Sequence, residues 1–195
     1  MANENRPTKL VILEAAAHVF GKKGFNGATT REIAIHAGLA EGTLFRYFPT
    51  KLDILYGVVE SLAPLVGVET MKSVISKAGD LSIEDALEQI IHNRIDVIGE
   101  RIDQMRILIT ETQYNDHLRE IYLQHVFKPI QEMLSSFFKE KMDKGELRKM
   151  DPSLPANLLL STVFYICCQH LYENDEGSFF EADKLAELLL LGLKK

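Results

Sequence analysis

Apolar residues recur at helical spacing along nearly the whole chain, and hardly any stretch alternates apolar and polar as a half-buried strand would. The spacing predicts a first helix over about residues 8–23, with Leu13, Ala16, Ala17 and Phe20 on one face. Lys22 and Lys23 suit the negative end of that helix's dipole, and Gly24 suits a left-handed position just beyond it.

The next segment, GFNGATTREIAIHAG, begins with a capping pattern: Thr29 caps and Glu32 reaches back. A short helix should follow, with Ile33 and Ala37 buried and Ala34 small enough for another helix to cross closely. Gly38 ends it, Leu39-Ala40 continues the turn, and a second short helix starts near Glu41, with Leu44 and Phe48 sharing its inner face. Pro49 stops this helix, and Thr50 can cap a third that begins at Lys51. Helix, glycine turn and helix within about twenty residues is the spacing of a helix-turn-helix. Spacing alone also fits a helical hairpin inside a bundle.

The remainder reads as a separate all-helical body, with helices over about 51–61, 63–78, 82–99, 101–113, 116–143, 153–173 and 181–194. Ser82 opens one with a Ser82-x-x-Asp85 cap, Gly79 and Gly145 close two others, and Asp151-Pro152 starts another. Pro64 and Pro129 should cap or kink theirs. The last two helices, around NLLLSTVFYICCQHL and LAELLLLGL, are apolar around too much of their circumference to hide every leucine against one neighbour. That excess suggests a seam with a twofold copy; burial within the monomer is the alternative. The fold class expected is therefore all-α.

Composition sharpens this only in places. The 195 residues, 46% hydrophobic and 26% charged, are those of a soluble globular protein. No apolar run approaches the roughly 18 residues of a membrane span, and the polar opening MANENRPTK has no signal-peptide pattern, so a cytoplasmic location is expected. The net charge of −6 is uneven: residues 1–52 hold seven Lys/Arg against four Asp/Glu, and the remaining 143 hold fifteen against twenty-four. A basic head on an acidic body could meet a polyanion. Cys167 and Cys168 are adjacent, with Cα atoms about 3.8 Å apart, too close for an ordinary disulfide; buried structural thiols are expected.

The chemistry concentrates in GTLFRYFPTK. With Leu44 and Phe48 inward, Thr43, Phe45, Arg46 and Tyr47 are left on the outer faces. Arginine can fork onto guanine or bind phosphate, hydroxyls can donate to phosphate, and apolar groups can touch a thymine methyl, so the set suits a major groove. Lys51 and Arg31 stand near helix starts, where an anion is favoured. Enzyme motifs are missing: there is no Gly-x-Ser-x-Gly, phosphate loop, dinucleotide fingerprint or His-Glu-x-x-His. No enzymatic activity, cofactor or metal is expected. His92, His117, His125 and His170 lack the close pairing zinc would want, and Cys167, Cys168 and His170, though near in sequence, are not expected to bind it.

Residues 8–55 resemble the DNA-binding domain of the TetR family of bacterial transcriptional repressors. The matching text is ILEAAAHVFGKKGFNGATTREIAIHAGLAEGTLFRYFPTKLDIL. The resemblance implies a helix-turn-helix domain over 1–51 and a helical ligand-binding and dimerisation domain over 52–195. It implies that Thr30 and Arg31 contact phosphate or a nearby base and that Glu41, Gly42, Thr43, Phe45, Arg46 and Tyr47 lie on the recognition helix. Thr43 and Phe45 would touch DNA, while Tyr47 and Lys51 would reach its backbone. Two positions depart from the common pattern. Phe45 stands where tyrosine is frequent, and Glu41 is acidic, so near DNA it must accept from cytosine or face away.

The resemblance further implies a homodimer on a near-palindromic operator, two heads entering major grooves about 34–36 Å apart, and a small-molecule effector that alters that separation through helix 51–61. Met105, Ile109, Tyr122, Phe127 and Phe164 are apolar candidates for a ligand pocket and His170 a polar one; each also reads as plain core. They favour an apolar or amphipathic effector. The alternatives are an activator or architectural DNA binder without effector, and a helical protein-binding adaptor.

Overall fold

Thr29, Thr50 and Ser82 each open a helix with the side-chain bonds that their sequence context dictates. The structure, a computed structural model, describes residues 7–62, 68–173 and 182–193. Thr29 Oγ1 accepts the Glu32 N–H at 3.2 Å while Glu32 Oε2 accepts the Thr29 N–H at 3.1 Å. Thr50 and Asp53 repeat the exchange at 3.1 and 2.9 Å, and Ser82 Oγ accepts the Asp85 N–H at 3.2 Å. Such caps satisfy N–H groups that a helix start leaves open and are typically worth about 1 kcal/mol each.

The helices are α1 (Thr8–Gly27), α2 (Thr30–His36), α3 (Glu41–Tyr47), α4 (Lys51–Leu62), α5 (Val68–Ala78), α6 (Ile83–Gly99), α7 (Ile102–Glu111), α8 (Asp116–Tyr122), α9 (Lys128–Asp143), α10 (Ser153–Glu173) and α11 (Ala182–Leu193). No strand occurs among the described residues, so the all-α expectation holds. Pro64 and the expected helix start at 63 lie outside the described residues. Gly24 breaks α1 with φ +69°, and Gly38 turns the chain between α2 and α3 with φ +68°, a region where only glycine is at ease.

Three expectations on helix course and burial change. The single helix expected over 116–143 is two helices joined by a π turn, Leu123–Phe127. Pro129 has no N–H to return to the carbonyl four residues earlier, and its ring crowds that carbonyl; widening the turn relieves both. Ala37, expected inside, is only half-buried, because it caps α2 beside the Gly38 turn. Of the two cysteines, Cys167 is buried and Cys168 is half-exposed, since successive helical residues diverge by about 100°. Desolvation, then the neighbouring Cys168, pushes the Cys167 thiol up to about 12.

The chain forms two compact units. In the first, residues 7–62 combine with Asp103–Tyr122; α1 packs on α2 and α4, α2 on α3, and α4 on α8. Ile12, Phe20, Ile33, Leu44, Ile54 and Leu55 fill its core. Gly57 lets α4 press directly on Phe48 and Leu13: a Cβ there would stand 2.8 Å from Phe48 Cε1 and 2.9 Å from Leu13 Cδ2. Gly21 does the same for α7, where a Cβ would meet Asp103 Cβ at 2.7 Å and Asp103 O at 3.0 Å.

The second unit holds α5, α6, α9, α10 and α11. Lys141 is 1% exposed, and its ammonium donates to Leu81 O at 2.5 Å and pairs with Glu146 at 3.2 Å, which holds the α5–α6 turn against α9. Arg94, also buried, donates to the Thr70 hydroxyl and to Asn93, and burial brings its guanidinium down to about 10.

Candidate nucleic-acid interface

Helix α3 is seven residues long and is held by two side chains. Leu44 is fully buried, and Phe48, just past the last turn, tucks its ring under α4. Those anchors fix which residues face out. Gly42, Phe45, Arg46 and Tyr47 are exposed, and Thr43 is half-buried. Phe45 and Tyr47 are each 43% exposed, which leaves two aromatic rings flanking one arginine on a surface where water gives the rings no compensating partner.

The acidic residue at the start of α3 is engaged. Thr30 Oγ1 donates to Glu41 Oε1 at 2.6 Å, across the two helices. Arg31, the next residue of α2, is exposed. Glu32 is held on its other side by Lys23, 2.6 Å away. That ion pair, then the Thr29 backbone and hydroxyl, keeps the Glu32 carboxyl below its usual range.

Lys51 lies differently from a free phosphate ligand. Its ammonium donates to Phe25 O at 2.8 Å and Ala28 O at 2.9 Å and stands 4.5 Å from the Phe25 ring centroid. One N–H of three is left for an outside acceptor. Phe25 is held a second time through its backbone N–H, which donates to Glu111 Oε1 of α7 at 3.2 Å. Neither Glu111 nor Lys23 stands out in the sequence as a partner of this region. The Lys23–Glu32 pair has a weak signal in its nine-residue spacing across a short link, whereas the Glu111 contact spans 86 positions and leaves no local signal.

The candidate pocket residues are distributed over the chain. Met105, Ile109 and Tyr122 are half-buried in the first unit; Phe127 is half-buried and Phe164 exposed in the second. The side chain of His170 lies outside the described residues. A groove of about 470 Å³ is lined by Arg148, Leu154, Leu158, Thr162 and Leu188 among others, and none of the candidates belongs to it. No helix among the described residues is long and apolar enough to cross a membrane.

Comparison with known proteins agrees with this arrangement. Residues 12–56 match the family model described as bacterial regulatory proteins, tetR family, and residues 85–169 match the AefR-like transcriptional repressor, C-terminal domain. The HTH-type transcriptional regulator YvkB of Bacillus subtilis is 24% identical over 185 residues, which span 93% of each chain. The fatty acid metabolism regulator protein of the same organism is 24% identical over 82% of this chain and 81% of its own. Among solved structures, a TetR-family transcriptional regulator from Mesorhizobium loti superposes with a TM-score of 0.79 at 22% identity, over 96% of this chain and 97% of that one. FadR from Bacillus subtilis, in complex with stearoyl-CoA, does so with a TM-score of 0.72 at 20% identity over 93% and 95%. With one family model on the exposed reading head and a second on the helical body, the chain belongs to the TetR family of DNA-binding transcriptional regulators.

Proposed function

We propose that the chain is a homodimeric repressor that leaves a near-palindromic operator when a small molecule binds its body. The observation that carries this reading is the outward face of α3, where Phe45, Arg46 and Tyr47 are exposed while Leu44 and Phe48 anchor the helix from behind. In this reading residues 1–51 read DNA and 52–195 bind the effector and dimerise. Arg46 takes guanine or phosphate, Thr43 and Phe45 meet base edges beside Gly42, and Tyr47 and Arg31 reach phosphate. Lys51 adds one remaining N–H to the backbone. The Thr30 hydroxyl proton is engaged by Glu41, so this pair serves to seat α3.

Dimerisation is supported by two exposed stripes. On α10, Leu154, Leu158, Ser161 and Tyr165 succeed one another at steps of four, three and four, all exposed; on α11, Lys184, Leu188 and Leu191 do likewise. Leu188 is 64% and Leu191 74% exposed in the single chain. Two such helices and their twofold copies would form a four-helix seam.

An amphipathic acyl effector is supported by the stearoyl-CoA carried by the FadR relative. The test is a footprint on the DNA upstream of the protein's own coding region, repeated with long-chain acyl-CoA. Deletion of the gene should raise transcription of the footprinted target. A fall would make the protein an activator, and binding that does not weaken steeply between 50 and 200 mM salt would remove phosphate contact from the reading.

A further inference from the structure

Phe25 lies in the last residues of α1, just past the break at Gly24, and its backbone is held from two sides. Its N–H donates to Glu111 Oε1 of α7, 3.2 Å away. Its carbonyl accepts from Lys51 of α4 at 2.8 Å, and the same ammonium binds Ala28 O three residues on. The ring packs on Phe20, with centroids 5.6 Å apart. A turn that would otherwise be a hinge beside the positive-φ Gly24 is therefore fastened to two other helices.

Beyond that turn stands the reading apparatus. The chain passes directly into the Thr29–Glu32 cap of α2, and Lys23 straddles the turn to reach Glu32. The first residue of α2, Thr30, holds the first residue of α3, Glu41. A displacement at Phe25 is thus handed through α2 to the helix that presents Arg46. Glu111 itself lies on α7, the segment with which the chain re-enters the first unit after residue 102.

We propose that Glu111 is a positioning residue for DNA binding: it accepts the Phe25 N–H and, together with Lys51, sets the angle at which α2 and α3 are presented. The inference rests on the reading that α3 enters DNA. Glu111 contributes no phosphate contact, and removing its negative charge would by electrostatics alone strengthen binding to a polyanion. Positioning makes the opposite prediction for a variant that loses the acceptor.

The test compares wild type, Glu111→Gln and Glu111→Ala on a duplex selected from random sequence by the wild-type protein. Alanine is a better helix former than glutamate, so α7 is not weakened. Glu111→Ala should lose up to roughly tenfold in affinity, because re-ordering the freed turn on DNA costs at most what the hydrogen bond to a charged acceptor contributed. Glu111→Gln, which keeps a carbonyl oxygen, should stay within about threefold of wild type. Both should keep the wild-type salt slope. Amide exchange at Phe25 should accelerate in Glu111→Ala alone. Equal affinity of the two variants, raised or lowered, overturns the proposal, as does wild-type exchange at Phe25 in Glu111→Ala. If the wild type selects no duplex, the reading of α3 fails instead, and the exchange measurement still decides whether Glu111 holds the turn.

Discussion

The hydroxyl of Thr30 and the carboxylate of Glu41 meet at 2.6 Å, each at the first position of its helix. At the leading edge of a helix proposed to enter DNA, glutamate is unfavourable, because its charge repels phosphate. The contact gives it a different task. Its oxygen is occupied from the side, so α2 and α3 are joined at their starts as well as through the Gly38 turn. A double-mutant cycle with Thr30→Val and Glu41→Ala, read by urea denaturation, should give a coupling of about 1 kcal/mol. Additive effects would mean that the contact contributes nothing to stability.

Arg46 and Tyr47 are exposed and lie outside the buried core. Replacing both with alanine should abolish operator binding while leaving the melting temperature and oligomeric state unchanged. Arg46→Ala alone should cost about 1–3 kcal/mol and relax preference at one base pair if it reads guanine. If it meets phosphate instead, it should lower the salt slope by about one. Gel-shift titrations at several salt concentrations separate the two.

Gly21→Ala should be severely destabilising for an exchange so small. The new methyl would come within 3.0 Å of the Asp103 carbonyl oxygen, which is backbone and cannot swing aside. Forced overpacking of this kind typically costs about 1–3 kcal/mol. The control is Gly42→Ala: Gly42 lies inside α3 with nothing near its would-be Cβ, so the melting temperature should hold or rise.

Acid should loosen the start of α2. Lys23, and then Thr29, keep the Glu32 carboxyl below its ordinary value of 4.5 in the folded protein. A group depressed by folding stabilises the fold fully above its unfolded value, and that contribution is lost as pH falls through the folded one. Melting temperature plotted against pH should therefore show a smaller decline below about 4.5 in Glu32→Gln than in wild type. Parallel curves would remove Glu32 from the acid response.

Much of the fold is legible in the sequence because its signals are local. Thr29 with Glu32, Thr50 with Asp53 and Ser82 with Asp85 each lie three residues apart and act within one turn. Gly38 and Gly145 sit where only a positive φ continues the chain. The inward Leu44 and Phe48 come from four-residue spacing, and the outward residues between them come by exclusion. What escapes a sequence reading depends on partners far away along the chain. Lys51 lies at a helix start, as a phosphate ligand would, but Phe25 and Ala28 supply the carbonyls that hold it. Lys141 has the character of a surface residue until Leu81, 60 positions earlier, is placed against it. Pro129 announces an irregularity, yet its resolution as a π turn rather than a kink is a property of the neighbouring helical turns.

Gly57 leaves no slack between α4 and the tail of α3. The Phe48 ring and the Leu13 methyl both stand against the bare backbone of α4 there. A tilt of α4 would press on the Phe48 ring at the end of the arginine-bearing helix, so in the proposed repressor a ligand signal that reached α4 would need only a small stroke to shift α3.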